Sequence, residues 1–310
     1  MNSIVSINIL NFNTFDKSCV CIDSCLKQHG VNYQVLLIDN ASTDDSFLRL
    51  QQKYGDKLLY LQTGKNYGFA GGNNIGVKHC IDLGIRFALL LNSDTELIGN
   101  ECLANLMGII QQKNCAIVAP TIFDVTRKGL IKHNNDYMYN QLLRKVGILP
   151  KIIKVSDKIE KVCEAHGSAL LVDCQKFIEV GGFPEHYFMY CEESTFAKKI
   201  LWSGYDILWY KDEQNYILHH HDKTGKVDSW REILMGRNRS LEFHENKKGK
   251  CMLWGLIYYL FKFKMYLIGR KNSEMFYYTG MCLGDSLVKK NYSKYECYQN
   301  GVEIRNSFKS

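Results

Sequence analysis

The sequence predicts an α/β fold: a mixed, mostly parallel sheet of Rossmann type, flanked by helices and followed by a helical C-terminal extension. Short apolar runs alternate with longer segments of helical character over about the first 120 residues, as in strands joined by helical crossovers. Three of these runs end on polar residues, at Asn11, Asp39 and Asp94. With 310 residues, 46% of them hydrophobic and 23% charged, the chain can bury a full core.

The first elements follow one another in the order of a parallel sheet. Strands are predicted over residues 4–10, 35–38, 58–61 and 87–91, and helices over residues 14–28, 46–54 and 75–83. Strands joined in this way lie parallel, with right-handed crossovers. Their carboxyl ends therefore meet at one edge of the sheet, where open α/β sheets bind ligands.

Beyond residue 100 the pattern is less regular. Helices are predicted over residues 101–112, 174–180 and 194–203, strands over 116–119, 166–172, 206–210 and 216–218, and a long loop over 123–160. The loop prediction rests on poor periodicity and on Asn, His and Tyr residues that suit a loop over a binding groove.

Asp94 follows a run of five apolar residues and has two interpretations. As a turn or capping residue it would belong to a helix that starts near Gly99. As a ligand it would hold Mg²⁺ or Mn²⁺, which prefer oxygen ligands, against a substrate diphosphate. The residues around it leave both interpretations open.

Residues 66–74 contain three glycines within five positions, at Gly68, Gly71 and Gly72. Their spacing does not match the dinucleotide-binding fingerprint, and no Gly-Lys-Ser/Thr of a Walker loop follows. Glycine lets the backbone approach a ligand closely or adopt positive φ. The segment is therefore predicted to be a loop that can contact a ligand, although the motif is unspecific.

Composition and charge limit the class of protein. The 12 cysteines are scattered and the N-terminus lacks the features of a secretory leader, so we expect a cytosolic protein with reduced, mostly buried cysteines. The spacing of Cys19, Cys21 and Cys25 has no matching second pair, which disfavours structural zinc. No nucleic-acid-binding motif accompanies the net charge of +7, so we expect no nucleic-acid partner.

The late part of the chain is basic and aromatic. Residues 252–268 are apolar, with Lys262 and Lys264 inside the run, so the segment is short for a spanning helix but typical of a helix in a membrane interface. Membrane contact at the inner face of the cytoplasmic membrane is slightly favoured. Packing against the core or against a second copy in a homodimer are the alternatives.

Four blocks of the sequence resemble a known family. They are residues 39–44, 66–73, 90–95 and 181–193. In this order and spacing they resemble the inverting glycosyltransferases of family 2 with the GT-A fold, especially their rhamnosyltransferase-like bacterial branch. The resemblance covers about residues 3–240.

The resemblance implies a nucleotide-binding role for the first two blocks. Asp39 would contact the base or ribose, and Asn11 would line the same pocket. Asn66, Gly71 and Asn73 would pack against the nucleotide. The implied donor is therefore a nucleotide sugar.

The resemblance also implies a metal site. Asp94 stands where the family carries an Asp-x-Asp motif, here Asn-Ser-Asp, so it would be the main carboxylate on the metal. His219 falls where some relatives supply a second ligand, and it is favoured as a ligand over a solvated loop residue, whereas His220 and His221 are favoured as bystanders. A divalent ion, Mn²⁺ or Mg²⁺, would neutralise charge on the leaving diphosphate.

The acceptor hydroxyl needs a base, and the family alignment puts that base on Glu193, with Glu192 beside it. The alternative is an acid-rich helix N-terminus favoured by the helix dipole. Two adjacent carboxylates also repel, which can raise one pKa toward a useful range. The sequence departs from the family because Glu193 replaces the usual Asp, and Thr195 and Lys199 replace a frequent Asp and Arg.

Arg237 belongs to a short Arg-Asn element of this branch and would bind diphosphate or acceptor charge, or else face solvent. The resemblance implies a metal-dependent, inverting hexosyltransferase with a dTDP- or UDP-linked donor and a glycan acceptor, lipid-linked, in bacterial O-antigen or capsule synthesis. Its catalytic domain would be residues 1–225, with a nucleotide-sugar half to about 120 and an acceptor half from 121, followed by the extension 226–310. The alternatives are a processive polymerase-like relative and a non-catalytic nucleotide-sugar-binding or scaffold protein.

Overall fold

A computed structural model describes residues 5–126, 128–133, 141, 144–145, 147, 149–220, 229–245, 251–268 and 274–306. The chain divides into two compact units. The first comprises residues 1–67, 71–183 and 196–223, and the second comprises residues 68–70, 184–195 and 224–310. Asp94 and His219 belong to the first unit, and Glu192 and Glu193 belong to the second.

The strands form two sheets. In chain order they are β1 (Val5–Asn11), β2 (Tyr33–Asp39), β3 (Leu59–Gln62), β4 (Phe87–Asn92), β5 (Thr95–Ile98), β6 (Cys115–Ala119), β7 (Ile122–Thr126), β8 (Gly129–Lys132), β9 (Ile153–Lys154), β10 (Ile159–Val162), β11 (Ala169–Asp173), β12 (Asp206–Tyr210) and β13 (Tyr216–His220). The large sheet has the order β3-β2-β1-β4-β11-β6-β12-β10-β9, and the small sheet has the order β5-β13-β7-β8.

The helices associated with these strands are α1 (Phe15–Cys25), α2 (Ser46–Tyr54), α3 (Gly68–Asp82), α4 (Cys102–Ile110), α5 (Cys174–Glu179) and α6 (Glu192–Trp202). In the large sheet β1 pairs in parallel with β2 and β4, and β2 with β3. β11 runs antiparallel to its neighbours β4 and β6. The predicted mixed sheet with a parallel half flanked by helices is confirmed.

The central strands are buried, and they are apolar except at the last residues of β4 and β11, Asn92 and Asp173. Every residue of β6 and β11 and the first five residues of β4 are buried. Such continuous apolar runs are typical of strands covered on both faces. The core of the first unit includes Cys19, Cys21 and Cys25, which lie among its aliphatic side chains as small apolar residues.

The prediction of a loop over residues 66–74 is wrong from Gly68 onward, because α3 begins there. A Cβ atom at Gly72 would lie 2.5 Å from Cδ1 of Leu10, and one at Gly76 would lie 2.3 Å from Cδ1 of Ile38. These glycines let α3 approach β1 and β2 closely. Packing against the sheet therefore outweighs the low helix propensity of glycine.

Two further predictions of irregular structure are corrected. The predicted loop over residues 123–160 contains β8, β9, most of β7 and the first two residues of β10, while residues 134–140 lie outside the described residues. β8 and β9 are exposed along their length, so no buried face gives them an alternating pattern. The helix expected near Gly99 begins only at Cys102, and the strand β5 precedes it.

Among its described residues, the second unit contains four further helices, α7 (Ser229–Glu245), α8 (Cys251–Ile268), α9 (Glu274–Lys289) and α10 (Lys294–Asn306). They confirm the predicted helical extension. α7 and α9 pack with their backbones in contact: a Cβ at Gly236 would lie 2.0 Å from the carbonyl oxygen of Tyr277, and one at Gly280 would lie 2.0 Å from that of Ile233. Only glycine fits at these two positions without moving the helices apart.

A partly buried carboxylate links three of these helices. Asp285 on α9 accepts hydrogen bonds from Ser240 Oγ (2.6 Å), His244 Nε2 (3.1 Å), Tyr258 Oη (2.8 Å) and the ammonium group of Lys262. Burial alone would raise the pKa of Asp285, but these four donors together hold that pKa well below its ordinary value. The charged form of Asp285 therefore stabilises the packing of α7, α8 and α9.

One face of α8 is apolar and exposed. Five of its exposed apolar side chains are each exposed by more than half and follow a helical spacing: Leu256, Tyr259, Leu260, Phe263 and Leu267. We call these five residues the α8 stripe. Among the described residues, no helix combines the length and the apolar character needed to cross a membrane.

Candidate active site

The carboxyl ends of β1 and β2 hold a buried polar pair. The strand register places Asn11 opposite Asp39, and Nδ2 of Asn11 donates to Oδ1 of Asp39 at 2.9 Å. Ser42 donates to the same carboxylate from its hydroxyl (2.6 Å) and from its backbone N–H (3.1 Å). Asp39 is therefore held in one orientation at the edge where the sequence predicts nucleotide binding.

The loops that follow these two strands are joined to each other. Asn13 donates from Nδ2 to Thr43 Oγ1 (2.9 Å) and accepts from the Thr43 backbone N–H (2.8 Å). Asn13 and Ala41 have φ angles of 56° and 60°, which non-glycine residues seldom adopt. Such backbone conformations persist where surrounding contacts enforce them, often at ligand sites.

Three other residues predicted to contact the nucleotide, Asn66, Gly71 and Asn73, lie in different local environments. Asn66 Oδ1 accepts a hydrogen bond from Nδ2 of Asn40 at 3.2 Å. Asn73 is buried within α3. A Cβ at Gly71 would lie 2.6 Å from Cβ of Tyr67, so this glycine allows close packing at the start of the helix. Their nucleotide contacts remain predictions.

Asp94 lies in the tight turn between β4 and β5. Its backbone oxygen accepts from the N–H of His220 at 2.8 Å, and the neighbouring Ser93 accepts from Thr14 at 2.9 Å. Burial alone would raise the pKa of Asp94, but the hydrogen bond and charge of His219 and the charge of Lys17 hold it below its ordinary value. Because a strand follows it directly, the helix-capping alternative for Asp94 is wrong.

His219 is the last but one residue of β13 and is buried. Its Nε2 lies 3.5 Å from Oδ1 of Asp94, and its Nδ1 donates to Oδ1 of Asp124 at 3.0 Å. Burial would lower the pKa of His219, yet the two carboxylates outweigh burial and raise it to about 9. The sequence predicts that His219 follows a strand over 216–218, but His219 is part of β13.

Asp94 and His219 fit a divalent cation. An oxygen and a nitrogen 3.5 Å apart can be neighbouring ligands of one ion. A carboxylate oxygen suits Mn²⁺ or Mg²⁺, and an imidazole nitrogen suits transition-metal ions. The remaining ligands of such an ion are typically phosphate oxygens and water. Within the described residues, no group of three or more His, Cys, Asp or Glu side chains could hold an ion by itself.

The two neighbouring histidines are separate from this pair. His220 donates from Nε2 to Oε2 of Glu96 at 3.0 Å, so it pairs with an acid of its own. His221 lies outside the described residues. Nothing in the geometry of His220 points to a metal ligand.

In the second unit, α6 begins with Glu192 and Glu193. Glu192 is buried, and its Oε2 has no hydrogen-bond partner among the described residues. Burial, together with the charge of Glu193, raises the pKa of Glu192 well above its ordinary value, so this carboxyl is neutral where ordinary carboxyls are ionised. Glu193 is half-buried. Of the pair, Glu193 is thus the better candidate for a base.

Arg237 does not face solvent, and that alternative is wrong. Its side chain is fully buried in the second unit, where its guanidinium donates to the carbonyl oxygens of Cys297 (2.6 Å) and Tyr187 (3.0 Å) and to Oδ1 of Asn238. Burial lowers its pKa to about 10. Its contacts are those of a side chain that orders the second unit, and a diphosphate contact stays a prediction that this burial disfavours.

The sequence reasoning missed three residues near His219. Asp124 bonds to its ring, and the rings of His133 and His166 lie beside it, tilted against each other with centroids 4.1 Å apart. Asp124 and His133 fall in the predicted loop 123–160, and His166 is the first residue of the predicted strand 166–172. The alternation of apolar and polar residues over 122–126 was the available signal for a strand.

Comparisons with known proteins match part of this chain to one family. The model of the family described as Glycosyl transferase family 2 matches residues 6–180, more than half of the chain. Low-salt glycan biosynthesis hexosyltransferase Agl10 of Haloferax volcanii is 32% identical over 165 residues, which are 53% of this chain and 52% of Agl10. Rhamnosyltransferase WbbL of Escherichia coli K12 is 28% identical over 190 residues, 56% of this chain and 68% of WbbL. The chain thus spans about half the length of Agl10.

A solved structure gives the same result for the fold. The mannosyltransferase PcManGT from Pyrobaculum calidifontis, in complex with GDP-Man and Mn²⁺, has a TM-score of 0.58 over 99% of this chain and 88% of its own, at 13% identity. At that identity the likeness shows the fold alone, and it confirms the prediction of a GT-A fold. With the match over residues 6–180, the chain belongs to glycosyl transferase family 2.

Proposed function

We propose that this chain is a metal-dependent, inverting glycosyltransferase. It transfers a sugar from a dTDP- or UDP-linked donor to a glycan acceptor carried on a lipid, in the synthesis of a bacterial surface polysaccharide. The observation that supports this most directly is the Asp94–His219 pair, 3.5 Å apart, in the unit that also holds Asp39 at its sheet edge. The printed names of Agl10 and WbbL, a hexosyltransferase of glycan biosynthesis and a rhamnosyltransferase, support the reaction class.

Asp94 and His219 would hold Mn²⁺ or Mg²⁺. Such an ion, when bound, neutralises the charge that develops on the leaving diphosphate. Asp39, held by Asn11 and Ser42, offers a fixed acceptor for a ribose hydroxyl or a base N–H. An oriented carboxylate loses little entropy on binding, which favours donor affinity.

Glu193 would act as the base. The acceptor O–H proton passes to its carboxylate while the acceptor oxygen bonds to the anomeric carbon, and the bond from that carbon to the diphosphate oxygen breaks with its electron pair. This single displacement inverts the anomeric centre. Glu192 would take no proton from the acceptor, because its raised pKa keeps it protonated.

The α8 stripe supports contact with a membrane surface. Its five large apolar side chains are each exposed by more than half, and Lys264 is exposed on the same helix. A helix with apolar side chains and flanking cations suits the interface of an anionic bilayer. Contact of this kind would bring the enzyme to a lipid-linked acceptor at the inner face of the cytoplasmic membrane.

The test is turnover of a panel of dTDP-, UDP- and GDP-sugars, with and without Mn²⁺. We expect slow hydrolysis of one donor that requires the metal, a loss of at least about 100-fold in Asp94→Asn, and normal activity in Glu96→Gln, whose acid pairs with His220 instead. Donor binding without turnover, unchanged by Glu193→Gln, would show a non-catalytic binding protein. Products with many added sugars would show a processive enzyme.

A further inference from the structure

The register of the small sheet places a carboxylate beside His219. β7 and β13 pair in parallel, and Asp124 is the register partner of His219. Paired residues on neighbouring strands project from the same face of a sheet. The 3.0 Å bond from Nδ1 of His219 to Oδ1 of Asp124 follows from this pairing, so it is fixed by the backbone and not by a mobile loop.

This bond decides which ring nitrogen of His219 is available to a ligand. An ionised carboxylate can only accept, so the proton in the bond belongs to Nδ1. In the neutral ring Nε2 then carries the lone pair, and Nε2 is the nitrogen on the side of Asp94. Histidines that bind metals commonly donate their other N–H to a carboxylate in this way, which fixes the ring and raises its basicity.

Asp124 and the His219 ring are also held by two further histidines, His133 and His166. The second oxygen of Asp124, Oδ2, lies 3.3 Å from Nδ1 of His133. The ring of His133 lies against His166 (4.1 Å between centroids), and the ring of His166 lies edge-on to His219 (5.3 Å). His166 is fixed in turn by a 2.7 Å bond between its Nδ1 and Ser168 Oγ. The imidazole of His219 is thus restrained on two sides.

The neighbouring pair of His220 and Glu96 can be compared with the pair of His219 and Asp124. His220 uses Nε2 to bond to Glu96, and it projects from the opposite face of the same strand. Each pair thus joins a carboxylate to an imidazole at 3.0 Å, and both histidines lie on β13 of the small sheet. Only the Asp124 pair leaves Nε2 directed toward Asp94.

We propose that Asp124 is a positioning residue of the metal site, which holds His219 so that Nε2 can bind the divalent cation together with Asp94. The proposal rests on the metal-binding role of Asp94 and His219 in the proposed function. It assigns to Asp124 no contact with the donor or the acceptor.

The experiment measures Mn²⁺ binding to the full chain by titration calorimetry, with and without UDP. We expect Asp124→Asn to weaken Mn²⁺ binding about 10- to 100-fold, the usual effect of losing such a partner. Asp124→Glu, which keeps the carboxylate, should bind Mn²⁺ more tightly than Asp124→Asn. Glu96→Gln is the matched control and should bind Mn²⁺ as the unchanged chain does.

A spectroscopic readout separates positioning from general damage to the fold. At saturating Mn²⁺, the ¹⁴N modulation of the electron spin echo reports a bound imidazole; it should be present in the unchanged chain, absent in His219→Ala and weakened in Asp124→Asn, with the melting temperature of the asparagine variant preserved. Equal Mn²⁺ affinity in the Asp124→Asn, Asp124→Glu and unchanged chains overturns the proposal. If Asp94→Asn and His219→Ala also leave Mn²⁺ binding intact, the metal site of the proposed function is wrong as well.

Discussion

Adding one methyl group at Gly280 should destabilise the second unit, although alanine is a better helix former than glycine. The new Cβ would lie 2.0 Å from the carbonyl oxygen of Ile233, 2.8 Å from its carbonyl carbon and 2.9 Å from the N–H nitrogen of Arg237. All three atoms are backbone, so no side-chain rotation relieves the contact. α7 and α9 must move apart, which opens the packing between them.

The expected change in stability caused by Gly280→Ala is the sum of two opposing free-energy contributions. Overpacking costs about 1–3 kcal/mol, with rigid backbone contacts at the upper end, and replacing glycine by alanine in a helix returns about 1 kcal/mol. The net loss is about 2 kcal/mol, which corresponds to roughly 30-fold faster exchange of amide hydrogens that open with the second unit. Hydrogen–deuterium exchange with mass spectrometry should show this in peptides of α7 and α9.

Gly108 provides the control for the same chemical change. It is an exposed residue of α4, and a Cβ there would meet nothing within 4 Å. Gly108→Ala should therefore slow exchange in α4 by about fivefold, from a gain of roughly 1 kcal/mol. The two substitutions are expected to act with opposite sign. Exchange in α7 and α9 that is unchanged or slower in Gly280→Ala would refute the backbone contact.

Three other outcomes can be measured on purified protein. Asp285→Asn should lower the free energy of unfolding of the second unit, measured in urea at pH 7. The difference between this variant and the unchanged chain should shrink as pH falls below about 4. The lowered pKa of Asp285 contributes stability at higher pH, and this stability is lost as the folded form becomes protonated. Glu192→Gln should do the reverse: the raised pKa of Glu192 costs stability above about pH 4, so the glutamine variant should be more stable at pH 7 and equal at pH 3. Leu260→Glu combined with Phe263→Glu should reduce co-sedimentation with phosphatidylglycerol vesicles at least about tenfold, while Leu48→Glu, at an exposed leucine of α2, should not; equal binding by both would exclude the stripe as the membrane contact.

The parts of the fold that could be predicted are those whose apolar side chains pack on one core in a regular pattern. The strand over residues 206–210 and the helix over 46–54 have the predicted bounds, because a long apolar run or a clear helical period comes from contact with one core. The start of α3 could not be predicted, since glycine disfavours a helix locally and the gain from packing against Leu10 and Ile38 depends on tertiary structure.

The contacts of the candidate site also include some that the sequence predicts and some that it does not. The pairing of Asn11 with Asp39 follows from parallel strands of known order, which the sequence indicates. The bond between Asp124 and His219 depends on the register of two strands 95 positions apart, and no local pattern carries that information. Arg237 was misjudged because arginine is seldom fully buried, and only the structure reveals the carbonyl oxygens that accept its hydrogen bonds.

The turn at Ser93 and Asp94 connects a strand of the large sheet to a strand of the small one. Because side chains alternate along each strand, one inserted or deleted residue would reverse the facing of every position beyond it in one of the sheets. We therefore expect this turn to tolerate no insertion or deletion. An engineer who wants new specificity should keep the length of this turn unchanged.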